Sequence, residues 1–272
     1  MRTKKILMAM LVCMAAISSV TAQSTLDEQS GGSPAPGKKP AAKNEDKHKM
    51  NIVKVNLMAI ALKNYSFQYE RVLTKKISIA LGVRTMPTGS LPFQNTFADQ
   101  LAEDDPDLAA NIKDLKVGNF AITPEVRFYL NKKGYGRGFY IAPYYRFAKF
   151  NSEELPITYD GDGNTTKNIK LKGDMTTHSG GLMIGAQWHL GKVVTLDWWI
   201  VGAHYGTSNG TLNGTPSSPL SANEQTDIKN TIEALDLPLT KITAEVSANN
   251  IKAIIDGPWG GVRAGLSIGI RF

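Results

Sequence analysis

At 272 residues, with 42% hydrophobic and 20% charged side chains, the chain is long enough for one large domain and too apolar for a disordered protein. Its formal charge of +7 would suggest a nucleic-acid partner. Arg2, Lys4 and Lys5 belong to a leader-like segment, however, and without them 28 basic residues face 24 acidic ones, a charge of +4 that argues for no nucleic acid. The single cysteine, Cys13, falls in the same segment, which excludes a disulfide framework for the exported protein.

The first three basic residues precede an apolar run from Ile6 to about Ile17, followed by small residues at Val20 and Ala22. This is the pattern of a secretory signal peptide over residues 1–22. The apolar run is shorter than the roughly 18 residues needed by a spanning helix. Residues 23–49 turn to Gly, Ser, Pro, Lys, Asp and Glu, too few apolar groups to offset chain entropy, and are expected to form a disordered periplasmic tether. Residues 50–272 contain no apolar stretch long enough for a membrane helix, so any crossing must use strands.

From residue 51 onward apolar side chains recur with period two, in eight runs. They cover about 51–59, 65–73, 76–86, 119–130, 138–150, 175–190, 193–205 and 260–272. In the second run Tyr65, Phe67 and Tyr69 oppose Ser66, Gln68 and Glu70, and in the third Ile77, Ile79, Leu81 and Val83 oppose Ser78, Ala80, Gly82 and Arg84. Phe120, Ile122, Val126, Phe128 and Leu130 oppose Thr123, Glu125, Arg127 and Tyr129 in the fourth. Short turns join runs two to three, four to five and six to seven, whereas long connections follow runs three, five and seven. Short turns and long loops therefore fall at opposite ends of a meander with an even strand count. The expected fold is all-β: an eight-stranded antiparallel up-and-down transmembrane β-barrel with partly structured extracellular loops.

The apolar face is nearly continuous and carries Phe128, Phe139, Trp188 and Phe272 near strand ends, as an aromatic girdle would. Inside an eight-stranded barrel that set would overfill the available room. The opposite face mixes charge signs with Gly and Ala, so it is expected to line the lumen. A soluble lipocalin-like binder, with the apolar face inward, is the competing arrangement.

The closing run GGVRAGLSIGIRF resembles the last strand of Gram-negative outer-membrane barrels, with Ile270 where an aromatic is commoner and Ser267 where Gly is usual. The segments NIVKVNLMAIALKNYSFQYERVLTKKISIALGVRTMP, VGNFAITPEVRFYL and GRGFYIAPYYRF resemble an uncharacterised small outer-membrane β-barrel family of Bacteroidota. That resemblance implies a place in the outer membrane, with lipid as neighbour, and contact with the barrel-insertion machinery through the C-terminal strand, with Phe272 as part of the assembly signal. It implies no activity.

Within the expected lumen, Lys54, Glu70, Glu125, Arg127 and Asp197 fall at similar height and are expected to neutralise one another as a plug. Nearer the long loops, Arg84, Arg146 and Arg263 form an arginine layer with no inward carboxylate at its level, which is expected to meet an anion or acidic loop residues such as Glu153 and Glu154. His178 and His204 are placed on the outward face near the loop ends, where a histidine beside a serine would suit a lipid-modifying enzyme; the required serine at two-residue spacing from His178 is absent. The segment Asp160 to Asn164 starts like a calcium loop but lacks the closing Glu, and reads as a hairpin turn. No catalytic residue, metal site or cofactor is expected.

The loops show helical spacing over 95–105 and 107–116, a capping box at Ser221 and Glu224, and a hairpin at 242–255, as for a folded cap offering a surface to a protein or glycan. The expected function is a structural or surface-interaction role. A rim enzyme and a narrow anion-preferring channel are the alternatives.

Overall fold

The computed structural model describes residues 49–102, 106–132, 134–161, 165–235 and 238–272. The expected signal peptide, the tether up to residue 48, and Asp162, Gly163 and Asn164 of the would-be calcium loop lie outside the described residues. Ten strands are described: β1 (Asn51–Asn56), β2 (Tyr65–Val72), β3 (Ile77–Ser90), β4 (Lys116–Tyr129), β5 (Gly138–Ser152), β6 (Leu155–Gly161), β7 (Thr165–Leu190), β8 (Val194–Pro216), β9 (Lys241–Ser247) and β10 (Asn250–Arg271). Four helices accompany them: α1 (Leu57–Ala61), α2 (Gln94–Leu101), α3 (Pro106–Asp114) and α4 (Ala222–Glu233).

Every described pairing is antiparallel, in the order β1-β2-β3-β4-β5-β7-β8-β10, and β10 pairs back onto β1 to close a ring of eight strands. Closure sets Val55 opposite Ile268 and Ile52 opposite Arg271, and Asn51 and Phe272 exchange backbone hydrogen bonds of 3.1 and 2.9 Å. Closing the ring satisfies the two edges that an open meander would leave unpaired. Strands β6 and β9 stand outside the ring, as hairpin partners of β7 and β10.

The period-two pattern sorts the side chains of the ring as its chemistry requires. Phe67 and Ile79 are exposed on the outer face, whereas Lys54, Glu70, Arg127 and Asp197 are at most 1% exposed on the inner one. Higher up, the inner face changes character. There Met86, Val117, Phe150, Leu171, Leu212, Ile251 and Trp259 form an apolar core with Leu220 and Ile232 from the α4 region. Helix α4 begins with the expected capping box, Ser221 and Glu224 each accepting the other's backbone N–H. The loop ends are thus folded over a core of their own.

Three features depart from the expectations. Strand β1 stops at Asn56 instead of continuing to Ala59, because the Asn56 side chain accepts the Ala59 N–H at 3.0 Å and starts α1. Strands β7, β8 and β10 run for 26, 23 and 22 residues, well into what read as loops. Pro258 falls where β10 has β8 as its strand neighbour on one side only, the edge condition under which a sheet admits proline.

The third departure moves a histidine. Ile184 pairs with Val201 but Gly185 pairs with Trp199, and Arg263 pairs with Gly202 but Gly265 with Trp199, so β8 carries one extra residue near Ile200. A bulge of this kind reverses which face successive side chains take. Thr195, Asp197 and Trp199 point inward below it, and Gly202 and His204 above it. His204 is therefore buried at 5% exposure, contrary to its expected outward place, while His178 remains on the exposed outer face.

Candidate functional site

The lower lumen is filled by side chains from β1, β2, β4, β5, β7 and β8. Lys54 Nζ donates to Glu70 at 2.5 Å, Gln187 at 2.5 Å and Asp197 at 2.6 Å. Arg127 donates from Nε to Glu125 at 2.6 Å, from Nη1 to Asp197 at 2.7 Å and to Glu70 at 3.2 Å, and from Nη2 to Gln68 at 2.9 Å. The Tyr129 hydroxyl donates to Glu70 at 2.7 Å, the Tyr140 hydroxyl to Asp197 at 2.8 Å, and Trp199 Nε1 to Asp197 at 3.2 Å. The Arg127 guanidinium also lies 4.4 Å above the centre of the Tyr140 ring.

Two cations and three carboxylates are thus interleaved, with one carboxylate in excess, and each carboxylate accepts from at least one cation, the condition under which buried ions are tolerated. One acceptor, Glu125 Oε2, is left over. The five residues singled out from the sequence come together here. Their neutral partners Gln68, Ser78, Tyr129, Tyr140 and Gln187 were not singled out, although each sits on the same inner parity, which was the available signal.

Small residues make the room. A Cβ on Gly185 would lie 2.4 Å from Tyr140 Cζ, whereas a Cβ on outward Gly180 would meet nothing within 4 Å. Gly185→Ala is expected to push Tyr140 off Asp197 and lower stability by about 1–3 kcal/mol, the usual cost of overpacking. Gly180→Ala is the matched control, near neutral in urea unfolding of the purified protein.

Above this cluster Tyr144, Met183 and Trp199 form an apolar floor. The Arg263 guanidinium stands over it, 4.8 Å from the Tyr144 ring centre and 5.0 Å from that of Trp199. Arg146 Nη1 donates to Thr123 Oγ1 at 3.3 Å, and Arg84 Nε to Asn64 Oδ1 at 2.9 Å. All three arginines line one cavity of about 50 Å³, with Asn56, Thr123 and the α1 residues Met58 and Ala59. The acidic loop residues expected as partners lie elsewhere. Glu153 pairs with Lys116 at 2.9 Å and Glu154 with Lys170 at 3.8 Å.

The two rim histidines do not form a site. The Tyr145 hydroxyl lies 2.6 Å from Nδ1 of His178 on the outer face, and the Tyr144 hydroxyl 3.3 Å from Nδ1 of His204 on the inner face. Among the described residues no group of three His, Cys, Asp or Glu is placed to hold a metal ion.

Fold and site together define a closed antiparallel β-ring with a charged, side-chain-filled interior and a folded cap at one end. The chain belongs to the family described as protein of unknown function (DUF3575), whose model matches residues 40–209, more than half of the chain, from before β1 into β8. No curated protein matches it.

Proposed function

We propose that this chain is a small integral outer-membrane β-barrel protein, exported by its signal peptide, with a side-chain-filled lumen and a structural or surface-interaction role that involves no catalysis. The observation that carries the reading is the distribution of exposed apolar side chains. All the described large exposed hydrophobics except Phe93 and Leu239 lie on the ring strands, on α1 or, as with Leu73, Leu130, Val193 and Phe272, one residue beyond a strand end; among them are Phe67, Leu81, Val126, Leu182, Ile184 and Ile268. A water-facing wall of this extent would be an aggregation liability, whereas acyl chains match it.

The upper and lower limits of that belt carry aromatic residues suited to a headgroup layer. Tyr145 and Tyr205 share one level through Gly180, and at the other end Trp188 stacks on Trp198 with ring centres 6.4 Å apart. Of the 26 residues of β7, about 9–11 suffice to cross a bilayer, which leaves the rest to project with β6 as part of the cap. The cap would present α4 and β9 to the exterior as the surface-interaction element. The packed lower lumen favours a plug over a channel.

Fractionation of cells expressing the full precursor tests the location: the protein is expected in the outer membrane and resistant to a urea wash. Release by that wash would reject the proposal. Purified protein added to planar bilayers is expected to give no steady conductance, and ohmic channels would replace the plug with a pore.

A further inference from the structure

The lower cluster gives each of its cations, Lys54 and Arg127, carboxylate partners; the cavity above it gathers arginines instead. Among the described residues no carboxylate lies within ion-pair distance of Arg146 or Arg263, and Arg263 Nη1 is buried with no hydrogen-bond partner. Arg146 is only 3% exposed. The carboxylate at the adjoining level, Glu125, is held through Oε1 by Arg127 at 2.6 Å and makes no ion pair with Arg146 or Arg263. The chamber is walled on two sides. Its floor is Tyr144 and Trp199, and two residues further up each strand from Arg84, Thr123 and Arg146 stand Met86, Ala121 and Ala148 of the apolar core.

Like charges gathered in such a space are costly unless an opposite charge joins them. We propose that this chamber is a binding site for a phosphate-class oxyanion, held by Arg84, Arg146 and Arg263. Guanidinium forks match the geometry of phosphate oxygens with paired, charge-assisted N–H donors. Asn64 fixes one fork by accepting from Arg84 Nε, and Thr123 fixes another by accepting from Arg146. The buried Arg263 Nη1 supplies an uncommitted donor. A cavity of about 50 Å³ accommodates one small oxyanion and no large organic ligand.

The oxyanion has two conceivable sources, a dissolved phosphate or the phosphate of a lipid. The lining includes Met58 of α1 and Val83, both exposed on the outer wall beside the point where β1 ends, so the chamber adjoins the belt of apolar side chains. The site is a property of the lumen and stands independently of where the protein resides.

The test uses the full mature chain in an uncharged detergent, titrated calorimetrically with inorganic phosphate and, separately, with short-chain phosphatidic acid, against sodium chloride at equal ionic strength. The expected result is saturable binding of at least one phosphate probe, weakened about tenfold or more in both R146Q and R263Q. Binding of inorganic phosphate identifies a dissolved anion, and binding of phosphatidic acid alone identifies the lipid. No binding of either probe, an effect that chloride reproduces, or binding unchanged in the variants overturns the proposal. If R146Q fails to fold, judged by its circular dichroism, the half-buried R263Q carries the comparison. The membrane fraction of R263Q, measured in parallel, separates failure of the site from failure of the location.

Discussion

Arg127→Met is expected to destabilise the folded protein by about 3–5 kcal/mol, the cost of removing one partner from a buried ionic network. The substitution keeps much of the side-chain volume but removes donors to Glu125, Asp197, Glu70 and Gln68. Three buried carboxylates would then share Lys54 as the one cation of the cluster. Urea titration of the protein in detergent or lipid, followed by tryptophan fluorescence, measures the loss. Trp199 reports directly, since its Nε1 donates to Asp197. A change below about 1 kcal/mol would mean that the cluster is solvated and the plug does not exist. Lys54→Met should be comparably damaging, because its ammonium contacts Glu70, Gln187 and Asp197 within the same enclosure.

The second large effect is on the opposite side of the wall. Leu81 is 48% exposed on β3, between Tyr69 and Pro124 on the neighbouring strands. In water, Leu81→Arg would be harmless or would improve solubility. In a bilayer, an arginine near the middle of the lipid face costs about 2–4 kcal/mol, falling toward zero at the interfaces. Unfolding from lipid vesicles is expected to show that penalty for Leu81→Arg and a smaller one for Leu73→Arg, near the short-turn rim. Equal stability of both variants and the parent protein would remove the physical basis for a membrane location.

Much of the ring was legible because a strand has a strict two-residue period and the two faces here differ sharply in chemistry. Tyr65 to Glu70 and Phe120 to Leu130 alternate without a fault, and the structure keeps both patterns. The lumen cluster followed from the same parity. What escaped notice were places where the period is silent. Ile200, Val201, Gly202 and Ala203 are all apolar or small, so an inserted residue leaves no mark in the pattern, yet it turns His204 indoors. The stretch from Thr207 to Pro216 is rich in Gly, Asn and Thr and reads as a loop, but β7 and β10 flank it on both sides and draw it into the sheet. The α1 turn was equally hidden. Leu57 to Ala61 is uniformly apolar, and the cue lay in Asn56, a good N-cap residue that also fits the inner face of a strand.

The arginine chamber was half visible. Parity placed its three cations together, but the alternation carries no information on how the ceiling above them is packed. That depended on long-range contacts of the cap, such as Ala121 and Ala148 with Met86, which bring β3, β4 and β5 together above the cavity.

One contact of the lower cluster bears on how the ring is completed. Strands β1 and β8 are not neighbours, since β10 runs between them, yet Lys54 on β1 reaches Asp197 on β8 at 2.6 Å. The lysine stem passes over Gly269, where a Cβ would lie 2.7 Å from Lys54 Cγ. The ring is therefore tied twice across the same seam, by the backbone rungs that β10 offers to both flanks and by an ionic latch that spans it from the inside. The lack of a side chain at Gly269 is what leaves the latch its path.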